Sequence, residues 1–459
     1  MQTLATSIAE YQRDQVATQA SLGAYPRFRA VIGDMLPIAD LQKLLKPGEA
    51  YYKLTVVDNL VFGILITPTS AKAVKLQSSA NELDDVVNRL RRTISTVTDG
   101  ELVTYPFDVV LANKLYNQLF GPVASEMTSL DHLVFEPDGA MLRISPNLLV
   151  RDTASIEAYA ARVAAGGDPF DLRGIRWLGR DLDISTSVSA PSFRDVRLAP
   201  RSTGRRLYLG LGDNARATES DRVVDSTRDE ECALPITAWS KPISALELNL
   251  ASKMLAGGRT SLAEVITGAA FSDTGLKSRS DLQDYRIIHF ATHGILSSSK
   301  PRCAAQPALL TSFGGEGSDG LLTFREIFDL RLNADLIILS ACDTAGAAGA
   351  AATEEAGLGG GGELALDGLV RAFVGAGGRL VIASHWPVPD DFDATQRLIG
   401  GLFSVPPGTA TVTALRRSQV QLMDDAKTSH PYYWSAFAVV GDGRSALLQP
   451  DTSKVAERR

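Results

Sequence analysis

The sequence predicts an α/β fold: an α/β/α sandwich around a mostly parallel sheet, preceded by a smaller α+β lobe. Three observations carry this. Residues 201–459 alternate short apolar runs with amphipathic stretches, the rhythm of parallel strands joined by helical crossovers. Two of those runs, Tyr285–Thr292 and Asp335–Ala341, have no helical period, as expected of strands covered on both faces. With 459 residues, 45% of them hydrophobic, the chain can bury a sizeable core in two lobes.

Residues 1–44 read as a helical lead-in, with segments at Leu4–Ser21 and Ala39–Leu45 separated around Pro26. The smaller lobe, 45–200, begins as a β-meander: Ala50–Val57, a turn at Asp58-Asn59, Leu60–Thr67 and Ala73–Leu76. A helix over Asn81–Ile94 follows, because Leu83, Val86, Val87, Leu90 and Ile94 share one face. A second helix is expected at Phe107–Leu119, then a hairpin turning at Pro137-Asp138-Gly139. The larger lobe, 201–459, starts with strand Arg206–Leu211 and helices Ala245–Leu255 and Ser261–Ala270, and continues through strand Tyr285–Thr292, helix Phe324–Leu330 and strand Asp335–Ala341. Helix Glu363–Val374, strand Arg379–Ser384, helices Asp393–Leu402 and Val412–Leu422, and strand Tyr433–Gly441 complete it. The polar stretch Asn214–Glu231 is expected to be an exposed loop open to proteolysis.

A net charge of −7 offers no basic footprint for nucleic acid or an anionic membrane. No apolar run approaches the ~18 residues of a membrane span, and Glu10, Arg13 and Asp14 stand where a signal peptide would be apolar. Three scattered cysteines, Cys232, Cys303 and Cys342, argue against a disulfide framework and for a reducing compartment. The expected location is therefore the cytoplasm, where a thiol nucleophile survives.

The chemistry is expected where the two apolar runs end, at His293 and Cys342. In open α/β sheets the functional crevice lies outside the carboxyl ends of the strands, and neighbouring strands are about 4.8 Å apart. A lone Cys or His is ordinarily a core residue; both at matching strand ends point instead to nucleophilic catalysis. Competing motifs fail on physical grounds. Gly210–Ala215 matches G-x-G-x-x-A, but Arg216–Arg228 lacks the apolar face that would dock a pyrophosphate-binding helix. His289 and His293 have the i, i+4 spacing of zinc ligands, yet on a strand that spacing separates the side chains by about 13 Å. His289 is expected to be buried and hydrogen-bonded. The Ala/Gly tract Ala345–Gly362 lacks the Gly-Lys-Ser/Thr of a phosphate loop and reads as a surface loop starting beside Cys342. No cofactor and no metal are expected.

His293 precedes Cys342 by 49 positions, close to the ~50 of caspases. With that spacing, H-F-A-T-H-G at His289–Gly294, L-S-A-C-D-T at Leu339–Thr344, S-H-W-P-V at Ser384–Val388 and H-P-Y-Y-W-S-A-F at His430–Phe437 resemble the CHAT domain. CHAT domains are bacterial relatives of caspases and separases in the caspase-hemoglobinase clan of cysteine peptidases. The resemblance implies a caspase-like catalytic half over 201–459 and a degenerate pseudo-caspase half over 45–200. It implies a cysteine endopeptidase of bacterial signalling or defence, with Cys342 as nucleophile, His293 as general base, and the backbone N–H groups of Gly294 and Cys342 as oxyanion donors. An inactive CHAT interaction scaffold is the alternative. Partners would be a protein or peptide substrate and a tetratricopeptide-repeat or other activator on a separate chain, since no 34-residue repeat occurs here. The caspase block Q-A-C-x-G is replaced by Ser340–Thr344, so specificity for aspartate does not carry over. Clan relatives that accept Arg or Lys suggest instead a basic P1 residue, with Trp386, Asp390 and Asp391 as substrate-binding residues and Asp343 as a second candidate acid. Asp390 or Asp391 could equally cap the helix carrying Thr395 and Leu398.

Overall fold

Sixteen strands are described in a computed structural model covering residues 36–98, 101–217, 239–295, 307–315, 317–340, 365–386 and 391–448. In chain order they are β1 Glu49–Val57, β2 Leu60–Ile66, β3 Ala71–Lys75, β4 Thr96–Thr98, β5 Glu101–Val103, β6 His132–Glu136, β7 Asp183–Thr186 and β8 Arg206–Asn214. There follow β9 Ala263–Gly268, β10 Tyr285–Ala291, β11 Gly294–Ile295, β12 Ala308–Leu310, β13 Leu321–Thr323, β14 Leu336–Ser340, β15 Leu380–Ser384 and β16 Phe437–Gly441. Eleven of them form one sheet in the order β3-β2-β1-β6-β7-β16-β15-β14-β10-β8-β9. Seven of its ten pairings are parallel; the meander β3-β2-β1 and the pair β16-β15 are antiparallel. The two predicted lobes thus share a sheet, joined where Val439 and Val440 of β16 pair with Ser185 and Thr186 of β7.

The central strands explain the layering. Ile287, Leu336, Ile338, Leu380 and Ile382 pack into one core, whereas Ile288, Phe290, Ile337, Leu339, Val381 and Ala383 pack into another. Successive side chains on a strand point to opposite faces, so an unbroken apolar run requires a helical layer on each side. Helices Ala394–Phe403 and Thr411–Met423 contribute to the first core, and helix Ala365–Ala376 to the second. Helix Ala80–Ile94 follows its predicted apolar stripe and starts with a capping box between Ser79 and Glu82.

A buried polar seam ties the halves. Glu49 of β1, fully buried, receives hydrogen bonds from Arg197 and contacts His132 Nδ1 at 2.8 Å; Arg197 also reaches Asp442 beyond β16 at 2.6 Å. Burial alone would raise the Glu49 carboxyl, but the hydrogen bonds from Arg197 and His132, with their charge, hold it far below the usual carboxylate range. The third line of this seam, His132 Nε2 to Ser185 Oγ at 2.9 Å, completes a Ser–His–carboxylate row. All three residues are buried, so the row is a structural lock closed to substrate.

Several expectations are corrected. Ser261–Ala270 is not a helix: it contains edge strand β9, whose Val265-Ile266-Thr267 run favours a pleated surface. Pro137–Gly139 does not turn a hairpin; Asp138 caps a 3₁₀ segment, Gly139–Arg143, and β6 instead pairs in parallel with β1 and β7. Tyr433 lies in the short helix Pro431–Trp434, and the strand starts only at Phe437. The helix Thr153–Ala164 was not anticipated from the sequence; with no fully buried residue, it lacks a deep apolar stripe.

Candidate active site

The carboxyl ends of the parallel strands converge on one pole. In register, Gly212 of β8 pairs with Ala291 of β10, Ala291 with Ser340 of β14, and Leu339 of β14 with Ala383 of β15. A Cβ on Gly212 would stand 2.2 Å from the Ala291 carbonyl oxygen. The glycines of the Gly210–Ala215 motif therefore serve close strand packing, within β8 itself. Asp213, which follows, is one of four described non-glycine residues with positive φ, at 47°, and sits where the β8/β9 register shifts. Nothing in its residue type or spacing singles it out.

His293 lies two residues beyond Ala291 and is half-buried. Its backbone is pinned on two sides: its carbonyl accepts from the Leu310 N–H at 2.8 Å, and the preceding Thr292 donates through N–H to Ser340 at 3.3 Å and through Oγ1 to Leu310 at 2.5 Å. Its ring Nε2 contacts the carbonyl oxygen of Lys241 at 2.6 Å. A carbonyl only accepts, so Nε2 is the donor in this contact. The chain is anchored two residues before Lys241. Trp239 is fully buried against Ala308, Leu310 and Leu321, and its indole donates to Thr311 O at 2.8 Å; helix Leu246–Ala256 begins just after. This backbone acceptor was missed in the sequence, since any residue type supplies it.

Gly294 opens β11 opposite Leu309. The ladder bond between Leu310 N–H and His293 O makes Gly294 and Leu309 a non-hydrogen-bonded pair, so the Gly294 N–H points away from β12. Cys342, Asp343 and Asp390 lie outside the described residues. So do Cys232, Cys303 and the Ala345–Gly362 tract.

His289 behaves as expected of a core histidine. It is fully buried, with Nδ1 2.9 Å from Tyr208 Oη and Nε2 3.6 Å from Glu247 Oε1. Burial raises the Tyr208 phenol well above its ordinary value, and the Glu247 charge adds to this. Among the described residues no group of three His, Cys, Asp or Glu side chains could hold a metal ion, and no helix is long and apolar enough to cross a membrane.

Trp386 is fully buried, its indole donating to Tyr432 O at 3.0 Å while Arg91 lies 5.5 Å from the ring centre. Arg91 also donates to the His385 carbonyl at 2.6 Å. The His385 N–H in turn reaches Ala436 O at 2.8 Å. The S-H-W and H-P-Y-Y-W-S-A-F blocks therefore brace each other, clamped by an arginine from the first half, and the Trp386 ring faces the core rather than a substrate. Asp391 is exposed. With burial, its charge raises the Tyr433 phenol, so the two are neighbours. It does not cap the following helix. Asp393 occupies the N-cap without a side-chain cap bond, and Phe392 and Asp393 both have positive φ, 55° and 53°. Backbone strain of this kind collects at functional sites.

A mostly parallel α/β sandwich with a histidine poised at its carboxyl pole defines the class of the molecule. The CHAT domain family matches residues 109–442, and the chain belongs to that family. Tetratricopeptide repeat protein 28 of Mus musculus is 29% identical over 125 residues, 26% of this chain and 4% of that protein, so the chain spans a small fraction of this relative. Among solved structures, the Saccharomyces cerevisiae separase–securin complex aligns over 87% of this chain and 30% of its own, at 9% identity and a TM-score of 0.39. The Arg-specific cysteine proteinase gingipain R aligns over 80% and 75%, at 9% identity and a TM-score of 0.38. A complex of the pro- and mature domains of the Porphyromonas gingivalis enzyme aligns over 79% and 76%, at 11% identity and a TM-score of 0.38.

Proposed function

We propose that this chain is a cysteine endopeptidase working through His293 and Cys342. The observation that carries the proposal is the register of β10 and β14: Ala291, two residues before His293, pairs with Ser340, two residues before Cys342. The Lys241 carbonyl supports it further, because an Nε2–H tautomer presents Nδ1 as the base. In this reading Nδ1 takes the Cys342 thiol proton and the thiolate attacks the scissile carbonyl carbon. The C–N bond then breaks as the imidazolium returns that proton to the leaving amine. Water, deprotonated by the same imidazole, hydrolyses the thioester. The N–H groups of Gly294 and Cys342 stabilise the tetrahedral oxyanion, and the orientation of Gly294 away from β12 favours this role.

A basic P1 residue is the proposed preference, with Asp391, Asp390 and Asp343 as candidate acids. Trp386 would act beneath them as a support rather than a contact. The proposed setting is bacterial signalling or defence in the cytoplasm, with a tetratricopeptide-repeat activator on another chain; the similarity to a tetratricopeptide-repeat protein supports that kind of partner. The test is a peptide-library cleavage profile of wild type against Cys342→Ala and His293→Ala. Cleavage lost in both variants is expected; cleavage surviving in either would reject the His293–Cys342 assignment, and wild-type protein that cleaves nothing but still binds partners would favour the inactive scaffold.

A further inference from the structure

At the pole opposite His293, a cavity of about 200 Å³ opens at the amino ends of β14 and β15, beside Leu336, Leu380 and Leu447. Four residue steps along β14 separate this end from Ser340, about 13 Å, so the cavity is distinct from the candidate active site. Five cations line it, Lys46, Arg197, Arg201, Arg379 and Arg444, against two carboxylates, Asp335 and Asp442. In a chain of net charge −7 the local sign is inverted.

The two acids are already engaged. Asp335 accepts from the Arg286 guanidinium at 2.9 and 3.1 Å and from the Ser202 N–H at 2.8 Å; Asp442 accepts from Arg197 at 2.6 Å. The cations are less completely matched. Arg379 hydrogen-bonds to neutral groups: Pro200 O at 2.5 Å, Asn333 Oδ1 at 2.7 Å and Ala334 O at 3.2 Å. Burial lowers its guanidinium below the ordinary value, which the Asp335 charge only partly opposes. Arg197, with a side chain 7% exposed, bonds Glu49 and Asp442 through its terminal nitrogens, yet its Nε is buried without a hydrogen-bond partner among the described residues. Arg197 is ion-paired with Glu49 and Asp442 and Arg444 with Asp131, whereas a guanidinium bonded to neutral groups, as at Arg379, offers a planar fork of donors suited to a phosphate.

We propose that this cavity binds a small, multiply charged phosphate group, either inorganic phosphate or a phosphomonoester. Arg379 and Arg197 form its floor, and Lys46 and Arg201, both exposed, guard the entrance.

The test is isothermal titration of the whole chain with inorganic phosphate and with ribose 5-phosphate, against chloride at matched ionic strength, together with thermal unfolding. Saturable binding at one site per chain is expected, with a melting midpoint that climbs with the logarithm of ligand concentration. The double variant Lys46→Gln/Arg201→Gln, chosen because both side chains are exposed, should weaken binding at least tenfold. Arg379→Gln should weaken it further. Tighter binding of ribose 5-phosphate would assign the esterified form, and tighter binding of inorganic phosphate the free ion. No saturable heat with either ligand, or unchanged affinity in the double variant, overturns the proposal.

Discussion

Acidification should unfold this protein through His430 before its ion-paired carboxylates titrate. Both ring nitrogens are committed: Nε2 donates to Tyr105 O at 3.0 Å, and Nδ1 accepts the Tyr432 N–H at 3.2 Å. The ring is buried and packs 6.1 Å from Phe107 and 6.0 Å from Phe170, centre to centre. Burial lowers its pKa from 6.5 to about 4, although the Tyr105 bond resists. Protonation would also set a new N–H against the Tyr432 N–H. Because the folded value is depressed, this histidine's contribution is fully present above pH 6.5 and is lost as pH falls towards 4, where folded and unfolded chains both bind the proton. At about 1.4 kcal/mol per unit, the loss amounts to about 3 kcal/mol. The assay is urea unfolding from pH 7 to pH 4 for wild type and His430→Asn, whose difference cancels the carboxylates common to both. The wild-type advantage should shrink by about 3 kcal/mol across that window. Parallel profiles would refute the reasoning.

Trp386→Ala should cost about 3–5 kcal/mol in chemical unfolding, as removal of a buried aromatic ring does; a loss under about 1 kcal/mol would mean that the ring is not in the core. Trp239→Phe removes the donor to Thr311 O, so it should destabilise by about 1–3 kcal/mol. By loosening the Lys241 carbonyl it should also lower kcat more than it raises KM; unchanged kcat would separate Trp239 from the histidine. For specificity, Asp390→Ala, Asp391→Ala and Asp343→Ala are compared on Arg and Lys P1 peptides. A loss of about 2–5 kcal/mol of discrimination is expected in at least one, and a preference untouched in all three, or a preference for Asp, would reject the acidic pocket.

What the sequence made legible follows from how each element is stabilised. Strands β10, β14 and β15 are covered on both faces, so their residues are apolar almost without break, and the helix Ala80–Ile94 carries a full apolar stripe. The helix expected at Ser261–Ala270 failed because an edge strand is only half-covered and carries ion-paired Glu264 in its midst. The place of His293 just beyond a strand end was legible because a polar residue closes an apolar run. The acceptor that orients its ring was not, since a backbone carbonyl leaves no trace in residue type. Nor was the burial of Trp386, which depends on Arg91, distant in sequence, reaching the His385 carbonyl.

The most direct test of the proposed chemistry is labelling with a peptide carrying an electrophilic carbonyl warhead at an Arg P1 position, read by mass spectrometry of the whole chain and its digest. The account predicts one peptide-sized increment per chain, located on Cys342 and absent from His293→Ala protein that remains folded. A label on Cys232 or Cys303, or cleavage of substrate by protein whose Cys342 stays unmodified, would contradict it.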